Sequence, residues 1–355
     1  MAYRFGNLED ACALSETLRS LGEEQAPLIL QDLTYHCLLP LAHLALRDLQ
    51  EMGLPLGPSS RLFAECALGF HRDLVRTTII EHQLRSLLER CSNEGLRPLP
   101  LKGNYLAARI YSRREARPYR DIDLMVRRSE VEAAVRILEK EGFRPQRGGP
   151  EFMPPPHSTC FRRELEGGRL KVDVDLHLSI HWPREYDRRT RFEPEDIWSC
   201  SREDQLWGLP ITSMSPEHLV IFLCLDLAAN HRFARLITLR DLLESLSAER
   251  VDFAELARWC RRWEVQSLVH PALRLLAGVA PRDTVPTGAL EELRPRYPLY
   301  RAYELMLSPR RLSSMRSRSL TPRNLIFFLL ADKPSQRASG LARIPGHLYS
   351  RLRHP

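Results

Sequence analysis

The chain has 355 residues, 43% of them hydrophobic and 27% charged, which is enough for about two or three globular domains with sizeable cores. Its net charge of +7 comes mainly from arginine. This charge suits a polyanionic partner such as a nucleotide or nucleic acid, but an arginine-rich composition would explain it equally well in the absence of such a partner. The eight cysteines form no Cys-x-x-Cys unit, which excludes a zinc ribbon and a redox motif of that type.

Residues 1 to 95 are predicted to be helical. The segment begins without the basic-then-apolar pattern of a signal peptide, and the scattered cysteines suit a reducing compartment, so we expect a cytoplasmic location. From Ser59 onward, apolar residues recur at helical spacing to about Cys91, and Gly95 follows as a stop. A long helix is therefore expected before the first strand.

Two acidic residues stand close together in the next part of the chain. A short extended segment, Leu96 to Lys102, is followed by a helical stretch, a turn and the sequence Asp121-Ile122-Asp123-Leu124. In a strand, residues two apart point the same way, so Asp121 and Asp123 are predicted to share one face. Neighbouring carboxylates resist joint ionisation, and Mg²⁺ prefers such oxygen ligands, so this strand is a candidate for metal binding.

A second acidic strand follows a predicted helix from Glu130 to Glu141, for which Ser129 is the expected N-cap. Two strands joined by a Gly-Gly turn are predicted to form a hairpin, and the second of them spans Leu170 to Leu178. The polar residues on one face of this strand are Asp173, Asp175 and His177. A single acidic strand would more simply be an edge strand with its polar face in water, but two of them favour a shared site.

The remainder of the chain is predicted to be mostly helical. Ser215 is an expected N-cap with Pro216 at the first helical position. Helices are expected at residues 217–231, 236–248, 253–262 and 265–277, with an apolar helix candidate near 322–331. The longest apolar stretch near the C-terminus, Leu325 to Ala331, is too short to cross a bilayer. The arginine-rich segment at 310–318 lacks interleaved aromatic residues, so we expect it to be solvated rather than to bind an anionic acceptor.

Several spaced elements between about residues 95 and 245 resemble the uncharacterised nucleotidyltransferase family of the DNA polymerase β superfamily. The matching elements are Leu101-Lys102-Gly103, Ala107-Ala108, Tyr111, Arg117-Pro118, Asp121-Ile122-Asp123-Leu124, Glu141-Gly142-Phe143 and Asp175-Leu176-His177. The resemblance implies an α+β fold: a polymerase-β-like nucleotidyltransferase core, with a small mixed sheet and helices, flanked by N-terminal and C-terminal helical regions. The expected segments are an N-terminal helical region at 1–95, the core at 96–205, a C-terminal helical domain at 206–335 and a basic tail at 336–355.

The resemblance also implies a reaction. A nucleoside monophosphate would pass from an NTP, with ATP as the expected donor, to a hydroxyl or phosphate acceptor with the help of two Mg²⁺ ions or Mn²⁺. The residues implied as catalytic and metal-binding are Asp121, Asp123 and Asp175, and those implied as nucleotide-binding are Lys102, Gly103 and Asn104. Two departures stand out, since Lys-Gly-Asn replaces the commoner Gly-Ser loop and Leu178 stands where the family often has Trp.

Four more residues are expected to support the site, namely His177, Arg120, His231 and Asp241. His177 shares the face of Asp175, where it either orients a carboxylate or is a plain surface residue. Asp173 is expected to be solvated or to support Arg120. His231 and Asp241 resemble a His and an Asp in a helical segment of the family, although the helix dipole alone would explain a His at a helix end.

Two other functions remain open. A catalytically idle member of the family would bind a nucleotide or a partner protein, as in a toxin–antitoxin pair, but three acids cost stability without a cation. A metal-dependent phosphohydrolase would use Asp121, Asp123, Asp175 and His177, but the sequence lacks the adjacent His-Asp pair of that class. We therefore expect nucleotidyl transfer to a small molecule, a peptide or a protein in a biosynthetic tailoring pathway, with no membrane partner and with nucleic acid not favoured.

Overall fold

The computed structural model of the protein describes residues 3–56, 60–146, 158–180, 190–231 and 233–295. The predicted helix near 322–331, the arginine-rich segment at 310–318 and the basic tail at 336–355 lie outside these residues. The described chain forms two compact units. One is built from residues between 3 and 181 together with 194–215, and the other from residues of 182–193 and from 216 onward.

Helices form the first part of the sheet-containing unit. They are α1 (Leu8–Arg19), α2 (Ala26–Tyr35), α3 (Leu39–Glu51) and α4 (Ser60–Asn93). The side chain of Asn7 caps α1 by accepting a hydrogen bond from the backbone N–H of Asp10 at 2.9 Å. The apolar residues of α4 recur at helical spacing, and Cys66, Leu84 and Leu88 are fully buried. The long helix predicted from Ser59 to Cys91 is thus confirmed.

A five-stranded mixed sheet follows. Its strands are β1 (Leu99–Pro100), β2 (Asp121–Met125), β3 (Arg144–Pro145), β4 (Ser158–Leu165) and β5 (Leu170–His177). The strand order is β1-β2-β5-β4-β3, and β2 and β5 are the parallel pair, while the other neighbours are antiparallel. In the chain, helix α5 (Asn104–Arg109) follows β1 and helix α6 (Val131–Lys140) follows β2. The predicted α+β class is confirmed.

The pairing of β2 with β5 decides where the acidic residues lie. Asp121 is opposite Asp173, and Asp123 is opposite Asp175. The apolar residues that alternate with them are buried on the other face of the sheet, namely Ile122, Leu124, Val174 and Leu176. Burying a large aliphatic side chain stabilises a fold by about 1.5–3 kcal/mol, so this apolar face fixes which way the carboxylates point.

The local predictions around the sheet are confirmed except at one helix start. The hairpin of β4 and β5 turns at Glu166–Gly168, where both glycines have positive φ. The predicted N-cap Ser129 is wrong, because a 3₁₀ turn at Arg128–Glu130 precedes α6 and Glu130 is the residue at its N-cap position. The side chain of Glu130 accepts a hydrogen bond from the backbone N–H of Arg127 at 2.9 Å, which stabilises this turn.

A helix and a hairpin that the sequence did not predict complete the unit. They are α7 (Pro194–Ser199), β6 (Arg202–Leu206) and β7 (Leu209–Ser213), with β6 and β7 antiparallel. Four of the five residues of β6 are polar or charged, so the strand gives no alternating apolar signal. Trp207 in the turn has a φ of +54°, and the guanidinium of Arg85 lies 4.4 Å from its ring centroid.

The second unit is helical. Its helices are α8 (Pro216–Leu225), α9 (Leu236–Ala248), α10 (Phe253–Trp263), α11 (Gln266–Ala277) and α12 (Thr287–Leu293), and a π-helical turn, Asp226–Asn230, extends α8. All four helices predicted here are confirmed, with the first ending in the π-helical turn. In the described part of the chain, no helix combines the length and hydrophobicity needed to cross a membrane.

Candidate metal centre

Three side chains from two neighbouring strands meet on the acidic face of the sheet. One side-chain ligand atom each from Asp123, Asp175 and His177 lies within 4.8 Å of the others. Nε2 of His177 is 3.0 Å from Oδ1 of Asp123. Asp123 is 5% exposed and His177 is 2% exposed, whereas Asp175 is half-buried. Two carboxylates and an imidazole in this arrangement could hold a metal ion.

His177 lies at the end of β5, opposite Met125. It is not a surface residue, which removes one of the two alternatives for it, and its Nε2 contacts the carboxylate of Asp123. An ionised carboxylate only accepts hydrogen bonds, so beside an ionised Asp123 the Nε2 atom of His177 would be the donor. The parallel pairing of β2 and β5 creates the contact, and it joins residues 54 positions apart in the chain.

Asp121 is the neighbour of this group on β2. Burial, followed by the negative charge of Asp123, raises the pKa of Asp121 to about 6. The charge of Asp175 raises the pKa further, while Lys102 and Arg117 lower it. The two nearby cations therefore do not offset the rise in the pKa of Asp121 that burial and the other carboxylates cause. Such a surplus of negative charge is what a bound divalent cation would relieve, so the donor set fits the ions that the resemblance implies.

Of the three residues predicted to bind nucleotide, Lys102 has a carboxylate neighbour. Nζ of Lys102 is 3.9 Å from Oδ2 of Asp123, and the lysine side chain is 25% exposed. Gly103 has a φ of +54° and a ψ of −103°, a conformation that L side chains rarely adopt. A Cβ at this position would lie 3.2 Å from Cβ of Tyr119. Both the backbone conformation and the close approach of Tyr119 therefore favour glycine here.

Asn104 begins α5 and is 1% exposed. Its Oδ1 accepts a hydrogen bond from the backbone N–H of Tyr105 at 2.9 Å. This bond fixes the orientation of the side-chain amide of Asn104. The Nδ2 atom of that amide is buried without a hydrogen-bond partner among the described residues. Asn104 is therefore a buried residue at the start of the helix and not a surface residue.

The structure corrects the prediction for Asp173. This residue shares the face of Asp175, but its carboxylate makes a bidentate ion pair with Arg162 of β4, with N–O distances of 2.7 and 2.8 Å. It is therefore neither simply solvated nor a partner of Arg120, which is exposed. Arg162 was missed because only the register of the hairpin places it opposite Asp173. Arg117, which the sequence singled out only as part of a motif, lowers the pKa of Asp121.

Cys160 is another neighbour that the sequence did not indicate. It lies on β4 directly opposite Asp175, and burial, together with the charge of that carboxylate, raises the pKa of its thiol to about 12. The thiol therefore stays protonated near neutral pH.

His231 and Asp241 belong to the second unit. His231 follows the π-helical turn, and its Nε2 is 3.3 Å from Oδ2 of Asp226. The side-chain amide of Asn230 donates to the same carboxylate at 2.9 Å. Asp241 is buried within α9. The predicted supporting roles of His231 and Asp241 stay predictions.

The comparison with known families covers most of the chain. A family model described as an uncharacterised nucleotidyltransferase matches residues 23–281. The matched range includes both sheets, α2 to α11 and all ten residues predicted for the site. No curated protein matches the chain.

Proposed function

Because the chain belongs to this nucleotidyltransferase family, we propose that it transfers a nucleoside monophosphate from an NTP to a hydroxyl or phosphate group of an acceptor. The observation that carries the proposal is the parallel pairing of β2 with β5, which aligns Asp123 with Asp175 and leaves Asp121 beside them. Three acids on one face, one of them with a raised pKa, suit a reaction that handles a polyphosphate through divalent cations.

Asp121, Asp123 and Asp175 would hold the metal ions, Mg²⁺ or Mn²⁺, with Asp123 shared between two positions. When bound, such ions neutralise charge on the triphosphate and polarise the attacking hydroxyl. Asp175 comes from β5 and is more exposed than Asp123, the residue opposite it on β2. We assign it to the acceptor side, where it would also accept the proton of the acceptor hydroxyl.

Lys102 and Gly103 would bind the triphosphate, with ATP as the expected donor. The ammonium group of Lys102 is close enough to the carboxylates to offset phosphate charge near them. A glycine at 103 lets the backbone come close to phosphate oxygens. Asn104, being buried, would act by fixing the backbone of this segment instead of by direct contact.

We also propose roles for three further residues and for the regions of the chain. Arg120, His231 and Asp241 would support substrate binding. The chain would divide into a helical region at 1–95, a core at 96–205, a helical domain at 206–335 and a basic tail at 336–355. The acceptor would be a small molecule, a peptide or a protein. The contact between His177 and Asp123 also suits a metal-dependent phosphohydrolase, so the test must separate transfer from hydrolysis.

The test uses the purified full chain, each NTP labelled at the α-phosphate, and Mg²⁺ or Mn²⁺, with and without fractions of cell extract. We expect label to appear on an acceptor together with an equal amount of pyrophosphate, and only when an acceptor is present. Release of labelled NMP or inorganic phosphate without a labelled acceptor would instead identify a hydrolase. NTP binding with no product in any fraction would contradict the enzyme proposal. Asp123→Asn serves as the inactive control.

A further inference from the structure

The carboxylates of the metal centre do not all have the same neighbours. Asp121 and Asp123 offer oxygen atoms only, from the same strand. Asp123 and Asp175 are grouped with a nitrogen atom of His177, and all three ligand atoms lie within 4.8 Å of one another. The centre therefore offers two positions of different chemistry, one made of oxygen alone and one that includes an imidazole.

A fourth side chain that could have supplied oxygen is already engaged. Asp173 lies on the same face of β5, but both of its carboxylate oxygens are held by Arg162 at 2.7 and 2.8 Å. At the end of β5, the side chain that faces Asp123 is His177, and it is 2% exposed. Because the ligand atoms of Asp123, Asp175 and His177 lie within 4.8 Å of one another, an ion between the two carboxylates would lie beside the imidazole.

Nitrogen and oxygen ligands select different ions. Mg²⁺ is a hard cation that takes oxygen ligands and gives up its water reluctantly. Imidazole suits borderline transition-metal ions, and these ions bind mixed nitrogen and carboxylate sites more tightly than Mg²⁺ does. An ion that replaces water by imidazole therefore gains affinity if it is a transition metal and gains little if it is Mg²⁺.

We propose that Nε2 of His177 is a metal ligand and that the position formed by Asp123, Asp175 and His177 prefers a transition-metal ion such as Mn²⁺ or Co²⁺ to Mg²⁺. This inference rests on the proposed function, because it assigns a class of ion to one of the two metal positions proposed there. Binding requires the lone pair of Nε2, so a neutral ring must carry its one proton on Nδ1, whereas an imidazolium must lose its Nε2 proton to solvent. The oxygen-only position, with Asp121, keeps its suitability for Mg²⁺ that arrives with an NTP.

The test measures metal binding in the absence of any nucleotide. The full chain is freed of metal with a chelator and titrated with Mn²⁺, and the bound ion is examined by pulsed electron paramagnetic resonance. We expect coupling to a directly bound ¹⁴N nucleus and an affinity for Mn²⁺ at least about tenfold higher than for Mg²⁺ measured by competition. Mn²⁺ bound without ¹⁴N coupling would overturn the assignment.

Variants decide which residue supplies the nitrogen. His177→Asp should abolish the ¹⁴N coupling and weaken Mn²⁺ binding by roughly 10- to 100-fold, while Mg²⁺ binding stays equal or improves. His177→Gln is a second variant in case the added charge prevents folding, and circular dichroism checks both. Asp173→Asn, on the same strand, should leave the coupling and both affinities unchanged. Equal weakening of Mn²⁺ and Mg²⁺ in the His177 variants would show that the imidazole only positions Asp123.

The outcome is separable from that of the proposed function. Because no NTP or acceptor is present, failure to detect transfer does not affect the binding result. Conversely, a protein that transfers nucleotides but binds Mn²⁺ without a nitrogen ligand would overturn only this inference.

Discussion

Asp123 of β2 lies directly opposite Asp175 of β5, and the two strands run parallel. Side chains on one face of neighbouring parallel strands point in the same direction, so these carboxylates come together although they are far apart in the chain. Each occupies a different environment, because Asp123 is buried and contacts His177 and Lys102, whereas Asp175 is half-buried and opposite Cys160. We therefore expect the same substitution to have different effects at the two positions.

Asp175→Asn should leave NTP binding close to normal and reduce transfer by several orders of magnitude. Asp121 and Asp123 remain to hold the ion that accompanies the nucleotide, while the metal ligand or base on the acceptor side is lost. Nucleotide binding by calorimetry and single-turnover transfer measure the two effects separately. Asp173→Asn is the matched control, two residues away on the same face, and should retain transfer. Near wild-type transfer by Asp175→Asn would show that this acid is not part of the reaction.

Asp121→Asn should make the metal-free protein more stable at pH 8 but not at pH 4. The folded-state pKa of about 6 lies above the ordinary value, so the folded protein binds the proton more tightly than the unfolded chain does. Stability therefore falls as the pH rises through the interval between about 4 and 6, by about 2–3 kcal/mol. Asparagine does not titrate, so the stability of the variant does not fall in this way. Urea unfolding with a chelator at both pH values measures it, and an equal difference at pH 4 and pH 8 would contradict the prediction.

Adding Mg²⁺ or Mn²⁺ at pH 8 should stabilise the wild-type protein, and removal with a chelator should reverse the effect, since ligands that bind the folded state shift unfolding by mass action. Asp123→Asn should abolish most of this stabilisation because Asp123 is shared by both proposed positions. Thermal unfolding with increasing metal concentration measures the effect. A melting temperature that rises equally in the wild type and in Asp123→Asn would place the binding elsewhere.

Lys102→Ala should raise KM for the NTP more than it lowers kcat, because a positive charge on non-reacting phosphates contributes mainly to binding in both the ground and transition states. Lys102→Arg should restore part of the affinity, as it retains the charge but changes its geometry. Steady-state kinetics at several salt concentrations measure both variants. An unchanged KM in Lys102→Ala would remove this residue from the phosphate site.

Gly103→Ala should destabilise the protein by about 1–3 kcal/mol, because its backbone conformation is strained for any residue with a Cβ and the new atom would press on Tyr119. The control is Gly288→Ala, since Gly288 lies in α12 with no atom within 4 Å of its would-be Cβ. That variant should be neutral or stabilised by roughly 0.5–1 kcal/mol. Denaturant unfolding compares the two, and equal effects would show that residue 103 tolerates a side chain.

The alternation of acidic and apolar residues within each strand was enough to predict the acidic faces of β2 and β5, because the same alternation also identifies the apolar face that is buried. The contact between His177 and Asp123 was not predictable, since it depends on which strands pair and in which register. The same holds for Arg162, whose pairing with Asp173 follows from the hairpin register. The hairpin of β6 and β7 was missed because its polar first strand carries no periodic signal.

The parallel pairing of β2 and β5 also means that the candidate metal centre forms only when folding is nearly complete. A parallel connection requires a crossover, and here the chain passes through α6 and the strands β3 and β4 before β5 can align with β2. Contacts so distant in sequence form late, after the entropy of closing the intervening chain has been overcome. Until β5 is in place, Asp121 and Asp123 have neither Asp175 nor His177 beside them. A chain arrested before that step would have two acids and no complete set of ligands, so the protein would acquire full metal affinity only at the end of folding.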